Sequence, residues 1–396
     1  MLQTWRWFGP DDPVSLENVR QAGAVGVVSA LHHMNQGQVW SEDEVAKRRA
    51  EIEAGGLVWS VSESIGVGEE IKTRSGAFRA KIDNYKQSIR NAARAGVKTF
   101  CYNFMALTDW TRTELDWPLP GGGTALRFDA VDFAAYDLFI LERDGAEADY
   151  MPEGVAAARA RFEAMGPREM QELERTLIDW LPARDFTYDR QSFRRALTAY
   201  REVSVEGLRA NLVEFVREIA AVAEEEGVRL AIHPDDPAFP IFGLPRVMST
   251  AEDVRKLIAA VPSPANGITL CAGSFGSNPA NDLVAMAEEF GPRVHFAHLR
   301  NVRRESDGSF FEADHLDGET DMVRLVAALM REEDRRHAEA RADAVIPMRA
   351  DHGHLLGDDG KKRVNPGYSF IGRLRGLAEL RGVMRTVEAF RAGRVA

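Results

Sequence analysis

Residues 268–298 read ITLCAGSFGSNPANDLVAMAEEFGPRVHFAH. Two short apolar runs, at 268–272 and 294–298, enclose a helical pattern, and Gly291 stands shortly before the second run. Short apolar runs that alternate with helical patterns are typical of parallel βαβ units. This stretch therefore predicts two parallel strands joined by a helix.

The same pattern extends outward over the whole chain. Eight runs predict strands, at residues 4–8, 25–30, 58–62, 98–103, 229–233, 268–272, 294–298 and 346–351. Eight βα units are the number that closes an α/β TIM barrel, and elaborated barrels reach the length of this 396-residue chain as single domains. We therefore predict one (β/α)8-barrel domain over residues 1–396.

One interval breaks the rhythm. Residues 104–204 separate the fourth predicted strand from its helix and contain several helical patterns. Loops at this end of a barrel strand build active sites, so we expect a helical insertion that serves as a lid or as an oligomer contact. A merely decorative excursion is the competing interpretation.

Composition excludes some classes of protein. The net charge of -11 disfavours nucleic acid as a partner, because phosphate binding needs clustered Lys and Arg. No signal peptide and no run of 18 apolar residues is found, which predicts a cytoplasmic protein without a membrane partner. Cys101 and Cys271 are too few and too far apart for a disulfide framework.

Four consecutive predicted strands end in residues of metal-ligand type. These residues are His233, Cys271, His298 and Asp351. The C-terminal ends of barrel strands converge on one mouth, so these side chains are predicted to bind one metal ion. A structural His or a buried Cys is the commoner explanation for any single one of them, but four in register argue against coincidence. Ligand softness alone admits Zn, Fe, Co or Mn.

Further polar and aromatic residues lie near the predicted mouth. His352 and Tyr368 are candidates for a general acid and base, and Arg300 and Asn301 for holding a carboxylate or hydroxyl. Rim packing and a solvated arginine are the competing interpretations. A second tier of candidate substrate contacts comprises His33, Trp5, Trp7 and Asn103, with core packing expected for at least one tryptophan.

Motifs for nucleotide cofactors are missing. Gly66-Val-Gly68 lacks the third glycine of a dinucleotide fingerprint, and the chain has no Gly-Lys-Ser/Thr phosphate loop and no Gly-x-Ser-x-Gly elbow. We therefore expect no nucleotide cofactor.

Several segments of the chain form a recognisable combination: Gln3-Thr-Trp-Arg-Trp7, Ala231-Ile-His-Pro-Asp-Asp-Pro237, Phe296-Ala-His-Leu-Arg300, Arg349-Ala-Asp-His-Gly-His354 and Asn365-Pro-Gly-Tyr-Ser369. These segments resemble the mannonate dehydratase family of xylose-isomerase-like TIM barrels. The resemblance implies dehydration of D-mannonate to 2-dehydro-3-deoxy-D-gluconate in hexuronate (glucuronate) catabolism. It also implies a divalent metal on His233, Cys271, His298 and Asp351, proton transfer by His352 and Tyr368, and a homo-oligomer.

The metal and the reaction leave alternatives open. If sugar-acid oxygens complete the ligand shell, six-coordinate Mn(II) or Fe(II) fits better than four-coordinate zinc, so we predict one of these two ions. A metal-dependent sugar isomerase or epimerase, a nucleic-acid-processing barrel of the endonuclease IV type, and a non-catalytic sugar-acid binding protein are the competing functions. The negative charge disfavours the second of these.

Overall fold

The computed structural model describes residues 1–179 and 188–394. This part of the chain contains twelve strands: β1 (Leu2–Arg6), β2 (Gly26–Ser29), β3 (Val58–Glu63), β4 (Thr99–Tyr102), β5 (Glu114–Pro118), β6 (Thr124–Phe128), β7 (Arg229–Ile232), β8 (Asn266–Cys271), β9 (Val294–His298), β10 (Asn301–Arg304), β11 (Phe310–Ala313) and β12 (Pro347–Arg349). Eight of them form a closed barrel in the order β1-β12-β9-β8-β7-β4-β3-β2, and every pair in it is parallel. The prediction of a TIM barrel is confirmed, because each predicted run overlaps one barrel strand.

Helices follow the barrel strands and lie outside them. They are α1 (Leu16–Gln21), α2 (Glu42–Ala54), α3 (Glu69–Thr73), α4 (Phe78–Arg94), α5 (Ala130–Ala135), α6 (Pro152–Ala164), α7 (Pro167–Glu174), α8 (Arg190–Thr198), α9 (Val205–Glu225), α10 (Ala251–Ala260), α11 (Ala272–Gly276), α12 (Leu283–Phe290), α13 (Met322–Ala338) and α14 (Phe370–Arg391). Hydroxyl residues begin several of them. Ser41 caps α2 and Thr250 caps α10, because each side-chain oxygen accepts a hydrogen bond from a backbone N–H of the first turn.

The barrel interior is filled by small and apolar side chains. Val28, Val61, Cys101, Ala231 and Phe296 form one buried cluster from five strands, each less than 2% exposed. Cys101 is a free thiol in this cluster, and Cys271 is free as well, so the two cysteines form no disulfide. The described residues include no helix long and apolar enough to cross a membrane.

The insertion after β4 contains the helices α5–α8 and two strands that the sequence pattern did not predict. These strands, β5 and β6, join β10 and β11 in an antiparallel sheet of order β10-β11-β6-β5, which we call the accessory sheet. Phe128 of β6 and Phe310 of β11 pair in register and stack, with ring centroids 5.5 Å apart. The accessory sheet therefore ties the insertion to the loop that follows β9. Residues 180–187 of the predicted insertion lie outside the described residues.

Strand register places the polar residues at the C-terminal strand ends at the same height along the barrel axis. Cys271 at the end of β8 pairs with His298 at the end of β9, and Arg349 of β12 pairs with the same His298. On the other side of the barrel, Glu63 ends β3 opposite Cys101. The C-terminal ends of these parallel strands thus bring polar side chains to one layer.

Candidate metal centre and active site

The structure brings the predicted metal ligands together at the C-terminal mouth of the barrel. Ligand atoms of His233, Cys271 and His298 all lie within 4.8 Å of one another. Asp351 completes the group, because its Oδ2 lies 3.9 Å from Sγ of Cys271 and 3.6 Å from Nδ1 of His298. Asp351 has φ of 69°, a left-handed conformation that Asp tolerates better than most residues.

Neighbouring groups orient two of these ligands. Nδ1 of His233 donates to the carbonyl of Pro234 at 2.8 Å, so a neutral ring keeps its lone pair on Nε2. The backbone N–H and the hydroxyl of Ser274 lie 3.4 Å and 3.1 Å from Sγ of Cys271 and donate to it. Such outer hydrogen bonds fix the ligand atom that faces an ion.

Burial and charge shift the protonation equilibria of the cluster. Burial opposes a charged His233, but the hydrogen bond and charge of Cys271 outweigh it and raise the pKa of His233 to about 9. Burial, followed by the charge of Arg349, holds the pKa of His298 well below its usual value. Burial raises the pKa of Asp351, but the charge of Arg349 outweighs burial and keeps the pKa of this carboxyl well below its usual range.

The donor set fits a divalent cation. Two imidazoles, a thiol and a carboxylate are ligands that Mn, Fe and Zn share. Nδ1 of His298 is buried and has no hydrogen-bond partner among the described residues, although it lies beside Asp351. Because Nε2 of this ring accepts a hydrogen bond from Nε of Arg349 at 3.0 Å, Nδ1 carries the ring proton, and a cation bound at Nδ1 would have to displace that proton.

A cavity of about 210 Å³ opens directly above the cluster. Among the predicted site residues, it is lined by Asn103, His233, Arg300, Asp351, His352 and Tyr368. The side-chain amide of Asn103 is oriented by a hydrogen bond of 2.6 Å to Asp109, which also lines the cavity. The predicted proton-transfer pair therefore shares one cavity with two of the four predicted metal ligands, His233 and Asp351, whereas Cys271 and His298 are not part of its lining.

His352 and Tyr368 lie side by side in an aromatic wall. Their ring centroids are 5.1 Å apart at 81°, and Trp110 stacks on His352 at 4.3 Å. Burial lowers the pKa of His352 and raises that of Tyr368 to about 12. The charge of Arg349 acts against burial at Tyr368 and favours its phenolate. Both side chains are of a type that moves protons, and both reach the same space.

Four of the predicted substrate contacts lie outside the cavity. Trp5 and Trp7 pack in the core, where Arg373 covers Trp5 and Arg48 covers Trp7. Because side chains alternate along a strand, the neighbours Arg6 and Phe8 line the cavity instead.

His33 and Asn301 are the other two predicted substrate contacts that lie outside the cavity. His33 is 52% exposed and pairs with Glu44 of α2 at 2.8 Å, while His32 next to it lines the cavity. Asn301 is buried, and its amide donates to the carbonyls of His315 and Thr320, so it braces the loop that follows β11. We do not carry these four residues into the proposed site.

Sequence reasoning also missed several residues of the cavity wall. Arg349 donates from Nε to Nε2 of His298 at 3.0 Å and from Nη2 to Glu63 at 2.9 Å, and it pairs with Asp351 as well. Glu63 in turn pairs with Arg6 at 3.1 Å. Glu63 directly follows the predicted run 58–62, so the rule that found the metal ligands at strand ends would have found it too.

Arg300 lines the cavity but is already engaged. Its Nη1 donates to Glu312 at 3.0 Å and to Nδ1 of His352 at 2.8 Å, and its Nη2 pairs with Asp236. Arg300 is 2% exposed, which leaves it little freedom to receive a substrate carboxylate. The prediction of a direct substrate contact by Arg300 is therefore replaced below by a positioning role.

Together, the fold and the site define a (β/α)8-barrel protein whose strand ends are suited to hold a divalent metal in a buried cavity. More narrowly, the chain belongs to the mannonate dehydratase family: the family described as D-mannonate dehydratase (UxuA) matches residues 1–393.

Individual relatives agree with this assignment. The mannonate dehydratase of Saccharophagus degradans is 55% identical over 389 residues, with 98% of both chains covered. Mannonate dehydratase 2 of Agrobacterium fabrum is 53% identical, again with 98% of both chains covered. The crystal structure of mannonate dehydratase from Streptococcus suis serotype 2 superposes with a TM-score of 0.77 at 33% identity, covering 99% of this chain and 96% of that one.

Proposed function

We propose that this protein is a hydro-lyase that removes water from D-mannonate to give 2-dehydro-3-deoxy-D-gluconate, as a step in glucuronate breakdown. One observation carries the proposal: His352 and Tyr368 line the same cavity as His233 and Asp351 of the ligand cluster. The relatives named mannonate dehydratase support the choice of substrate.

The ion that we propose is Mn(II) or Fe(II), held by His233, Cys271, His298 and Asp351. Oxygen atoms of a sugar acid are hard ligands, and these ions accept them beside imidazole and thiolate in a six-coordinate shell. When bound, the ion would supply positive charge that offsets the negative charge developing on the substrate as the C2 proton leaves.

The residues of the cavity divide the proton transfers between them. We assign Tyr368, which lines the cavity, as the base that takes the C2 proton. Burial raises its pKa to about 12, and the charges of Arg349 and Arg6 act against that shift. We assign His352 as the acid that protonates the departing C3 hydroxyl. The enol that remains then tautomerises to the 2-keto acid, so the chain needs no redox cofactor.

Two further features stay predictions. The part of the insertion that the structure describes, residues 104–179 and 188–204, is proposed to act as a lid or as a contact between copies of the chain. A homo-oligomeric, cytoplasmic enzyme is expected from the family resemblance.

The test is turnover by metal-stripped protein after reloading with Mn(II) or Fe(II). D-Mannonate should lose water and give a 2-keto acid, and an isomer or epimer as product would point to the isomerase or epimerase class instead. His298→Asn should abolish product formation and metal retention together. Binding of D-mannonate without turnover by folded, metal-loaded protein would indicate a sugar-acid binding protein.

The acid and base assignment needs its own variants. Tyr368→Phe and His352→Gln should each lower kcat by about 100-fold or more, since positioned proton-transfer groups contribute that much. Metal content should stay at the wild-type value, because neither residue belongs to the ligand cluster. His33→Gln, on the exposed neighbour of the cavity, is the matched control. A loss smaller than about tenfold in both variants would contradict the pairing.

A further inference from the structure

Two arginines and two carboxylates form a closed ring of charges behind His352. Arg112 donates from Nη1 to Asp236 at 2.9 Å and from Nη2 to Glu312 at 2.6 Å. Arg300 donates from Nη1 to the same oxygen of Glu312 at 3.0 Å, and its Nη2 pairs with Asp236. No member is more than 3% exposed. The ring is therefore electrically balanced and almost completely buried.

The ring joins the barrel to the accessory sheet. Glu312 lies in β11 and Arg112 two residues before β5, whereas Asp236 and Arg300 follow the barrel strands β7 and β9. Buried ion pairs of this kind often contribute little to stability when compared with apolar residues of similar size. Their position beside the site points to another role.

That role follows from the contacts of His352. Nδ1 of His352 lies 2.8 Å from Nη1 of Arg300 and 3.3 Å from Oε1 of Glu312. A guanidinium only donates hydrogen bonds, so Nδ1 is the acceptor in the shorter contact. A neutral ring then carries its proton on Nε2, which lies 3.7 Å from Asp351 on the side of the metal ligands.

Packing alone does not hold the imidazole of His352 in its orientation. Trp110 stacks on one side of His352, but His352 and Glu312 also line a second cavity, of about 730 Å³, between the insertion and the C-terminal loop. A side chain that borders two cavities relies on its hydrogen bonds for orientation. Arg300 supplies that hydrogen bond, and Glu312 and Asp236 together supply the negative charge that keeps Arg300 in place.

We propose that Glu312 is a positioning residue for the dehydration: it holds Arg300 against Nδ1 of His352, so that Nε2 carries the proton directed at the substrate. When that proton passes to the departing hydroxyl, the positive charge of Arg300 offsets the negative charge left on the imidazole. The accessory sheet thereby belongs to the catalytic machinery. The inference rests on the proposed function for its kinetic consequence, but not for the hydrogen-bond arrangement itself.

Glu312→Gln tests the proposal, because it removes the charge and keeps the shape. We expect kcat to fall by about 10- to 100-fold, the usual effect of losing a partner that orients a catalytic group, while KM changes far less. Glu305→Gln is the matched control, since Glu305 pairs with Arg127 of the same sheet at 2.6 Å but does not contact His352. This control should leave kcat unchanged.

A second readout does not depend on turnover. In protein with nitrogen-labelled histidine, the NMR signals of His352 can be identified by their loss in His352→Gln. Wild-type protein should show an unprotonated Nδ1, and Glu312→Gln should raise the fraction of rings that are protonated there. Glu305→Gln should give the wild-type signal.

The outcomes separate this inference from the proposed function. Wild-type protein that does not dehydrate D-mannonate would overturn the function, while the NMR comparison would still decide the positioning. An unchanged tautomer in folded Glu312→Gln would overturn the positioning whatever happens to kcat. If Glu312→Gln fails to fold, Arg112→Lys replaces it, because this variant weakens the ring of charges but retains the positive charge. Its kcat and its His352 tautomer are then measured in the same way.

Discussion

Sγ of Cys271 lies 3.9 Å from Oδ2 of Asp351, although the two residues are 80 positions apart in the sequence. Two groups that are anionic as metal ligands meet here in a buried site. Charges of one sign in such a site repel unless a cation or protons neutralise them. This proximity therefore makes Cys271 a sensitive probe of metal binding.

Cys271→Ser should weaken metal binding and change metal preference. A hydroxyl is a harder and weaker ligand than a thiolate, so the loss of affinity should exceed the roughly 10- to 100-fold that follows removal of an outer partner. Dialysis against Mn(II), Fe(II) or Zn(II), followed by elemental analysis of the metal content, checks this. Cys101→Ser, at the buried thiol outside the cluster, is the control. Equal metal content in both variants would show that Cys271 is not a ligand.

The two adjacent histidines should respond differently to substitution. His32 lines the cavity, so His32→Gln should lower kcat/KM for D-mannonate. His33 is half-exposed and pairs with Glu44, and surface ion pairs of this kind contribute about 1 kcal/mol or less. His33→Gln should therefore leave both kcat and KM unchanged. Steady-state kinetics of the two variants decide the matter, and a large rise in KM for His33→Gln would restore it as a substrate contact.

His295 should make the protein less stable in acid. Burial, then the charges of Arg336 and Arg229, lowers the pKa of His295 to about 3. The folded pKa lies below the unfolded value of about 6.5, so the unfolded chain binds more protons between these two pH values. The contribution of the neutral His295 to the free energy of unfolding is fully present above about pH 6.5. It is lost as the pH falls toward 3, by up to about 1.4 kcal/mol per pH unit.

Urea unfolding at several pH values measures this effect. His295→Leu removes the titrating group, and neither nitrogen of His295 has a hydrogen-bond partner among the described residues. The free energy of unfolding should depend less on pH in the variant than in the wild type over that range. Parallel pH profiles for the two proteins would contradict the prediction.

The charged ring behind His352 should also show in stability measurements. Asp236→Ala leaves Arg112 and Arg300 buried with one partner fewer, and breaking a buried pair costs about 3–5 kcal/mol. Glu305→Ala, at a partly exposed pair of the accessory sheet, should cost less than about 1 kcal/mol. Chemical unfolding of both variants tests the difference. Similar losses would show that Asp236 is better compensated than its contacts indicate.

The strand ends were predictable because barrel topology turns a local pattern into a spatial one. His233, Cys271 and His298 each end or directly follow a barrel strand, and parallel strands in a closed barrel bring those ends to one mouth. No long-range information was needed once the alternation of strands and helices was recognised. His352 and Tyr368 followed from the resemblance and from the loop that continues past β12.

The accessory sheet could not be predicted in this way. Its strands β5 and β6 are short and lie in a stretch with helical patterns. β5 pairs with β6, and β6 pairs with β11, which is more than 180 residues away. Strand propensity depends strongly on the partners that a strand acquires, so a local pattern is a weak guide there. This pairing brings Glu312 to His352 and Arg300, and it brings Arg112 to Glu312.

The sequence by itself thus determined the eight-stranded barrel and the ligand types at its mouth, because both follow from a periodic pattern along the chain. Tertiary structure decided which neighbour of each pair faces the cavity: Arg6 and not Trp5, His32 and not His33. It also decided that Arg300 donates a hydrogen bond to Nδ1 of His352. Such choices depend on the direction of single side chains and on partners far away in sequence, which strand and helix periodicity does not encode.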